Sequence, residues 1–163
     1  MAPHNFSWVI ADRLAGCAMP GGGSDNPDRI RCDLRALFDS GVRVLVSLER
    51  TPRAFPALCR ASGIESWVFV LPDFSVPAHD ESFTHLVERI ISAVDTGRAV
   101  CVHCRAGIGR TGLLLACVMK SYFLLDAQQA IQSIRAVRPA IETHEQEAFV
   151  HRFSTVTPRQ DLP

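Results

Sequence analysis

The chain has 163 residues, with 17 Lys or Arg against 17 Asp or Glu, which suits one domain with a substantial core and excludes a comfortable pair of domains. The balanced formal charge excludes a global field that would recruit nucleic acid or a membrane surface, so any attraction for an anion has to be local. The six cysteines lack the spacing of a secreted disulfide scaffold, no charged-then-apolar leader opens the chain, and no apolar run approaches the roughly 20 residues that span a bilayer; a soluble cytoplasmic monomer is expected, with nuclear entry an open alternative.

Phe6 to Ile10 and Leu14 to Ala18 read as short opening strands around a polar Ala11-Asp12-Arg13 turn. Residues 20–27, Pro-Gly-Gly-Gly-Ser-Asp-Asn-Pro, hold too many breakers for regular structure and read as a mobile connection rather than a binding loop. Asp28 to Ser40 carries Ile30, Leu34, Leu37 and Phe38 at helical spacing, with Gly41 as a stop. Val42 to Leu48 reads as a buried strand, and residues 49–53 leave it at the end where ligands gather in parallel sheets. Arg50 in that stretch reads as a solvated loop charge, with a place on a substrate rim as the alternative. A short helix over Ala54 to Ala61 and a strand over Glu65 to Val70 follow.

Asp80 to Thr96 is an amphipathic helix with Phe83, Leu86, Val87, Ile90, Ile91 and Val94 on one stripe and Gly97 closing it. Arg98 to Val102 is an apolar strand, and Arg110 to Phe123 is apolar nearly all round, as a buried central helix should be. Asp126 with Gln129, and Thr143 with Gln146, have the spacing of capping boxes that open the last two helices. Arg138 reads as a charge neutralising a helix C-terminus. Strands alternating with helices predict an α/β fold: a mostly parallel central sheet flanked by helices on both faces, with right-handed crossovers. Residues 1–156 read as one domain and 157–163 as a short tail.

The chemistry concentrates in Val102-His103-Cys104-Arg105-Ala106-Gly107-Ile108-Gly109-Arg110-Thr111-Gly112, a strand end running through a glycine-bearing loop into a helix. Five residues separate Cys104 from Arg110, a spacing that lets one tight loop turn the amides of Arg105, Ala106, Gly107, Ile108 and Gly109 toward a single point suited to a dianion. The positive end of the following helix lies behind them. Arg110 adds a planar fork that matches two phosphate oxygens, a geometry lysine lacks. A free thiol titrates near about 8.5, and helix ends with cationic neighbours bring it to roughly 3.5–7.5, which makes Cys104 the candidate nucleophile. Thr111 can donate its hydroxyl to the sulfur when it leaves, and His103 is placed to brace the loop from the strand side.

Other readings of the same residues fit less well. A Walker-type phosphate loop is excluded because its lysine is absent and the glycine spacing differs. Cys101-Val102-His103-Cys104 has redox-pair spacing, but such a pair normally opens a helix and Cys101 sits inside a strand pattern. No histidine spacing matches a metal site. Sixteen of the 17 basic residues are arginine and only Lys120 is lysine, which reads as genome composition, with anion recognition as the alternative.

The segment His103-Cys104-x-x-Gly107-x-Gly109-Arg110-Thr111-Gly112 resembles the signature of the cysteine-dependent protein tyrosine and dual-specificity phosphatases. Asn5-Phe6-Ser7-Trp8-Val9, Arg13-Leu14-Ala15-Gly16, Leu45-Val46-Ser47-Leu48, Pro72-Asp73-Phe74, Arg138-Pro139 and Ile141-Glu142-Thr143 extend the resemblance to small atypical members over nearly the whole chain. Residues 21–26 look inserted or diverged, and the stretch between Pro139 and Ile141 looks a residue short. The resemblance implies the phosphatase fold of that superfamily, no cofactor and no metal, and hydrolysis of phosphotyrosine monoesters, with phosphoserine and phosphothreonine as further candidates, through a phosphocysteine. It implies that Asp73, 31 residues before Cys104, is the general acid on a proline-braced loop. It also places Glu142 and Gln146 near the active-site arginine, where one of them could orient water.

A phosphorylated protein or peptide is the expected partner, and no nucleic acid is expected. A phosphoinositide or inositol-phosphate phosphatase with the same loop is the alternative, Arg105 then meeting an additional phosphate. An RNA 5′-triphosphatase would need more basic surface than this charge balance offers. A readily oxidised Cys104 raises one further expectation, a disulfide to Cys101 or Cys59.

Overall fold

The computed structural model describes residues 2–156; the expected tail over 157–163 lies outside them. Five strands, β1 (Ser7–Ile10), β2 (Leu14–Cys17), β3 (Val42–Ser47), β4 (Glu65–Val68) and β5 (Ala99–His103), form one sheet in the order β1-β2-β5-β3-β4. Only β1 runs antiparallel, to β2; the pairs β2–β5, β5–β3 and β3–β4 are parallel. The expected mostly parallel sheet is therefore present, and the parallel strands deliver their C-terminal ends to one rim.

Two apolar cores cover the sheet. Helices α3 (Asp80–Asp95), α4 (Gly109–Tyr122), α5 (Ala127–Arg135) and α6 (His144–Arg152) pack on one face around Val44, Val46, Val100 and Val102. Helices α1 (Pro27–Asp39) and α2 (Phe55–Ala61) pack on the other around Ala15, Val42, Leu45 and Cys101. Helix α4 is buried from Gly109 through Met119, so its N-terminus, the point on which the site depends, is fixed by the core itself. Lys120 Nζ donates to the carbonyls of Val150, His151 and Phe153 at 2.9, 3.2 and 2.7 Å, closing the C-terminal end of α6 and tying it to α4.

The segment 20–27 departs from its reading as a mobile connection. Pro20 and Gly21 are buried in a single 3-10 turn, Gly21 and Gly22 take left-handed φ values of 80° and 64°, and the Gly21 N–H donates to Asp33 Oδ2 at 2.7 Å. The glycines thus supply a specific backbone shape rather than looseness. Asn26 then caps α1, its side chain accepting from the N–H groups of Asp28 and Arg29, with Pro27 as the first helical residue.

Candidate active site

Cys104 follows the last residue of β5, and the chain turns through Arg105, Ala106, Gly107 and Ile108 before α4 begins at Gly109. Every carbonyl of this loop is drawn outward by a donor beyond it. That of Cys104 accepts from His103 Nδ1 at 3.2 Å, that of Arg105 from the Met19 N–H at 3.1 Å, and that of Ala106 from Asn5 Nδ2 at 3.2 Å. Gly107 accepts from Arg138 Nη2 at 2.6 Å, and Ile108 from the N–H groups of Gly112 and Ile141 at 2.9 and 3.3 Å. The amides are left facing the other way: among the described residues, no backbone N–H from 105 to 109 donates a hydrogen bond. Gly107 has φ +74°, and a Cβ there would collide with the Cys17 carbonyl and lie 2.7 Å from the Ala18 nitrogen, so the turn needs glycine.

Arg110 is 2% exposed and its guanidinium is held on three sides. Nη1 donates to the Leu71 carbonyl at 2.9 Å and lies 3.5 Å from the Leu48 carbonyl, while Nη2 meets Glu49 Oε2 at 3.0 Å and Asp73 Oδ1 at 3.1 Å. Nε is buried and unpaired among the described residues. Nε and Nη2 form one edge of the guanidinium, the edge that accepts a bidentate oxyanion. Asp73, about half exposed, sits in a turn closed by the Ser75 N–H and hydroxyl on the Pro72 carbonyl at 3.2 and 2.6 Å. Its neighbour Phe74 is exposed with φ 57°, a left-handed conformation uncommon for an aromatic residue.

His103 is fully buried between Ser47 and the loop. Nδ1–H donates to the Cys104 carbonyl at 3.2 Å, which leaves Nε2 to accept from the Ser47 hydroxyl at 2.7 Å. Burial pushes its pKa down to about 4, helped by Arg110 and opposed by the Cys104 carbonyl and by Glu49. The ring is a neutral brace. Its folded pKa lies below the unfolded value near 6.5, so between those values the unfolded chain binds the extra proton and stability rises with pH. Stability is expected to be full above pH 6.5 and to fall by up to about 3 kcal/mol as the pH drops toward 4. Urea unfolding at pH 7.5 and 4.5 checks this, His103→Asn showing the smaller loss; equal losses would count against it.

The other sequence candidates gather here too. Thr111 Oγ1 is buried without a hydrogen-bond partner among the described residues. Arg105 is exposed and 3.8 Å from Glu49. The Glu142 carboxylate packs on Gly109, and Gln146, fully buried, lies within 3.2 Å of where a Gly109 Cβ would be. The Thr143–Gln146 capping box is only half made. Thr143 Oγ1 accepts from the Gln146 N–H, but the Gln146 side chain accepts from the Glu142 N–H at 2.9 Å and donates to the Ser75 carbonyl at 3.4 Å. Asp126 and Gln129 form the complete box.

Two readings are corrected. Arg138 does not serve a helix end: it is buried, with Nη1 donating to Ser7 Oγ at 2.9 Å and Nη2 to the Gly107 carbonyl. Cys101 and Cys59 pack in the core beneath α1 and α2, whereas Cys104 belongs to the core on the opposite face. Cys101 Sγ lies 3.5 Å from Cys17 Sγ, and burial pushes Cys59 up to about 12. Glu49 and Asn5 were missed as site residues; the position of Glu49, just past the C-terminal end of a parallel strand, was the available signal.

Comparison with known proteins agrees with this geometry. Residues 17–122 match the family described as "Tc-R-P: Polymorphic toxin system, DSP-PTPase phosphatase". The zebrafish (Danio rerio) protein tyrosine phosphatase domain-containing protein 1 is 36% identical over 61% of this chain, which spans only 14% of that relative. Rat (Rattus norvegicus) cyclin-dependent kinase inhibitor 3 is 29% identical over 93% of this chain and 79% of its own length. Among solved structures, a kinase associated phosphatase with serine at its catalytic cysteine superposes with a TM-score of 0.80 at 24% identity, covering 94% of this chain and 95% of that one. No helix among the described residues is long and apolar enough to cross a membrane. The chain belongs to the matched DSP-PTPase family, and with it to the cysteine-dependent phosphatases of the protein tyrosine and dual-specificity superfamily.

Proposed function

We propose that residues 1–156 form one catalytic domain that hydrolyses phosphotyrosine in protein or peptide substrates, and phosphoserine or phosphothreonine where pocket depth admits them, through a phosphocysteine on Cys104. The observation that carries this reading is the loop whose carbonyls are all engaged outward, leaving the amides of residues 105–109 unpaired beside Cys104 and the buried Arg110.

In the first step Cys104 Sγ attacks phosphorus in line, the S–P bond forming as the P–O bond to the leaving group breaks. Loop amides and the Nε/Nη2 edge of Arg110 hold the equatorial oxygens, where preorganised donors meet the developing charge. A phosphate oxygen takes the place of Asp73 on Nη2, and the released carboxylate, about half exposed, takes up a proton from solvent and donates it to the departing oxygen. In the second step water attacks phosphorus with Asp73 as base, and the thiolate leaves with a hydrogen bond from Thr111. Gln146, bonded to the acid loop at Ser75 and touching the start of α4, positions these two elements relative to each other, with Glu142 beside it near the incoming water.

Asp73→Asn is expected to reduce kcat by about 10²–10³-fold on an alkyl phosphate and by much less on 4-nitrophenyl phosphate, whose leaving group needs little protonation. Steady-state rates on both substrates check this, and equal losses would remove Asp73 from the acid role. Phosphate release from matched phosphotyrosine and phosphothreonine peptides, a phosphoinositide and triphosphorylated RNA tests the substrate class. Peptide preference supports the proposal; preference for lipid would replace it with the phosphoinositide reading on the same loop.

A further inference from the structure

β4 is an edge strand, and its pairing with β3 continues past Val68: the N–H groups of Phe69 and Leu71 donate to the carbonyls of Ser47 and Leu48 at 2.9 and 3.0 Å. Because alternate residues of a strand present their N–H and C=O to opposite edges, the polar groups of Ser66, Val68 and Val70 point to the open side. Val68 and Val70 are 56% and 46% exposed, an unusual pair of side chains on an unprotected edge.

Charge and shape continue along the same flank. A cavity of about 360 Å³ opens beside the strand, lined by Pro56, Arg60, Gly63, Ile64, Glu65 and Ser66. Of these lining residues Arg60, on α2, is exposed and makes no ion pair among the described residues. The nearby acid Glu65 is already taken by Arg89 and Arg98. At its other end the edge runs through Leu71 and Pro72 directly into Asp73 and the exposed Phe74. At about 3.3 Å per residue, Ser66 to Val70 lies roughly 10–20 Å from the acid loop, within reach of a peptide whose phosphorylated residue occupies the site.

We infer that the open edge of β4 is the substrate-docking surface: an extended, acidic segment flanking the phosphorylated residue adds to the sheet as a further strand, with Ser66, Val68 and Val70 supplying main-chain bonds. The occupant rests on the phosphoprotein reading above. Backbone pairing gives affinity without demanding a fixed sequence, and the unpaired Arg60 beside Ser66 selects against basic flanks.

The test compares a phosphotyrosine peptide with short flanks against the same peptide extended, at one end or the other, by alternating Glu and Val. The extension is expected to raise kcat/KM about tenfold through KM in at least one of the two arrangements. Val68→Pro, which removes an outward N–H from an edge where proline is tolerated, should bring the ratio of extended to short peptide near one. N-methylation of alternate extension amides should do the same with the unaltered enzyme, independently of how the variant folds. Equal kcat/KM for short and extended peptides, or a gain that survives N-methylation, overturns the docking surface. Turnover of 4-nitrophenyl phosphate with neither peptide hydrolysed overturns the phosphoprotein reading instead, and the docking surface with it.

Discussion

Cys104→Ser protein is expected to release no phosphate above background, a loss of at least about 10⁴-fold in kcat, while still binding a phosphotyrosine peptide. The substitution exchanges one small side chain for another at a position 3% exposed, and every bond that shapes the loop is made by its carbonyls or by Arg138, Asn5, Met19 and His103. The cradle therefore survives and only the nucleophile is lost. A serine hydroxyl without a base to activate it is a poor nucleophile, and the bond to be made becomes P–O in place of S–P. Calorimetric binding of the peptide beside phosphate-release assays checks both halves. Residual turnover within tenfold of the unaltered protein would show that another group attacks phosphorus.

Arg110→Lys should be the second largest effect, a fall of about 10³-fold in kcat/KM with charge conserved. Arginine here uses Nη1 for the Leu71 carbonyl, Nη2 for Glu49 and Asp73, and keeps Nε unpaired. Lysine offers one ammonium for all of these tasks. It can neutralise Glu49 or face phosphate, but cannot span two oxygens in a plane. The loss should divide between kcat and KM, because the fork both binds the ground-state dianion and meets the trigonal phosphoryl group in flight. A variant within tenfold of the parent on a phosphotyrosine peptide would mean that the loop amides carry the charge alone.

The parts of this molecule written in local pattern were legible in the sequence. Short apolar runs between turn signals gave the strands, 3.6-residue spacing gave the α3 stripe, an all-round apolar run gave α4, and Asp126 with Gln129 is the complete capping box its spacing suggested. Cys104, Arg110 and Thr111 stood out because the loop and helix start that bring them together are contiguous. The scaffold of the loop was not legible, because its donors come from far along the chain: Asn5 lies 101 residues from Ala106, and Arg138 lies 31 from Gly107. Nothing in the neighbourhood of either residue signals a carbonyl waiting across the sheet. Glu49 lies 61 residues from Arg110 and had no periodic neighbour to mark it. Gln146 shows the converse failure. Its spacing from Thr143 satisfied a local rule, but the carbonyl of Ser75 and the N–H of Glu142 claimed its side chain instead, because the Gln146 amide is fully buried and leaving it unpaired is the larger penalty.

The central claim is a covalent phosphocysteine on Cys104, and the most direct measurement is acid quench of the enzyme during turnover of a phosphotyrosine peptide, followed by mass spectrometry of its proteolytic fragments. The account predicts a phosphoryl adduct on Cys104 that is absent from Cys104→Ser protein. Steady phosphate release with no adduct at any residue, or with the adduct on a different side chain, would contradict it.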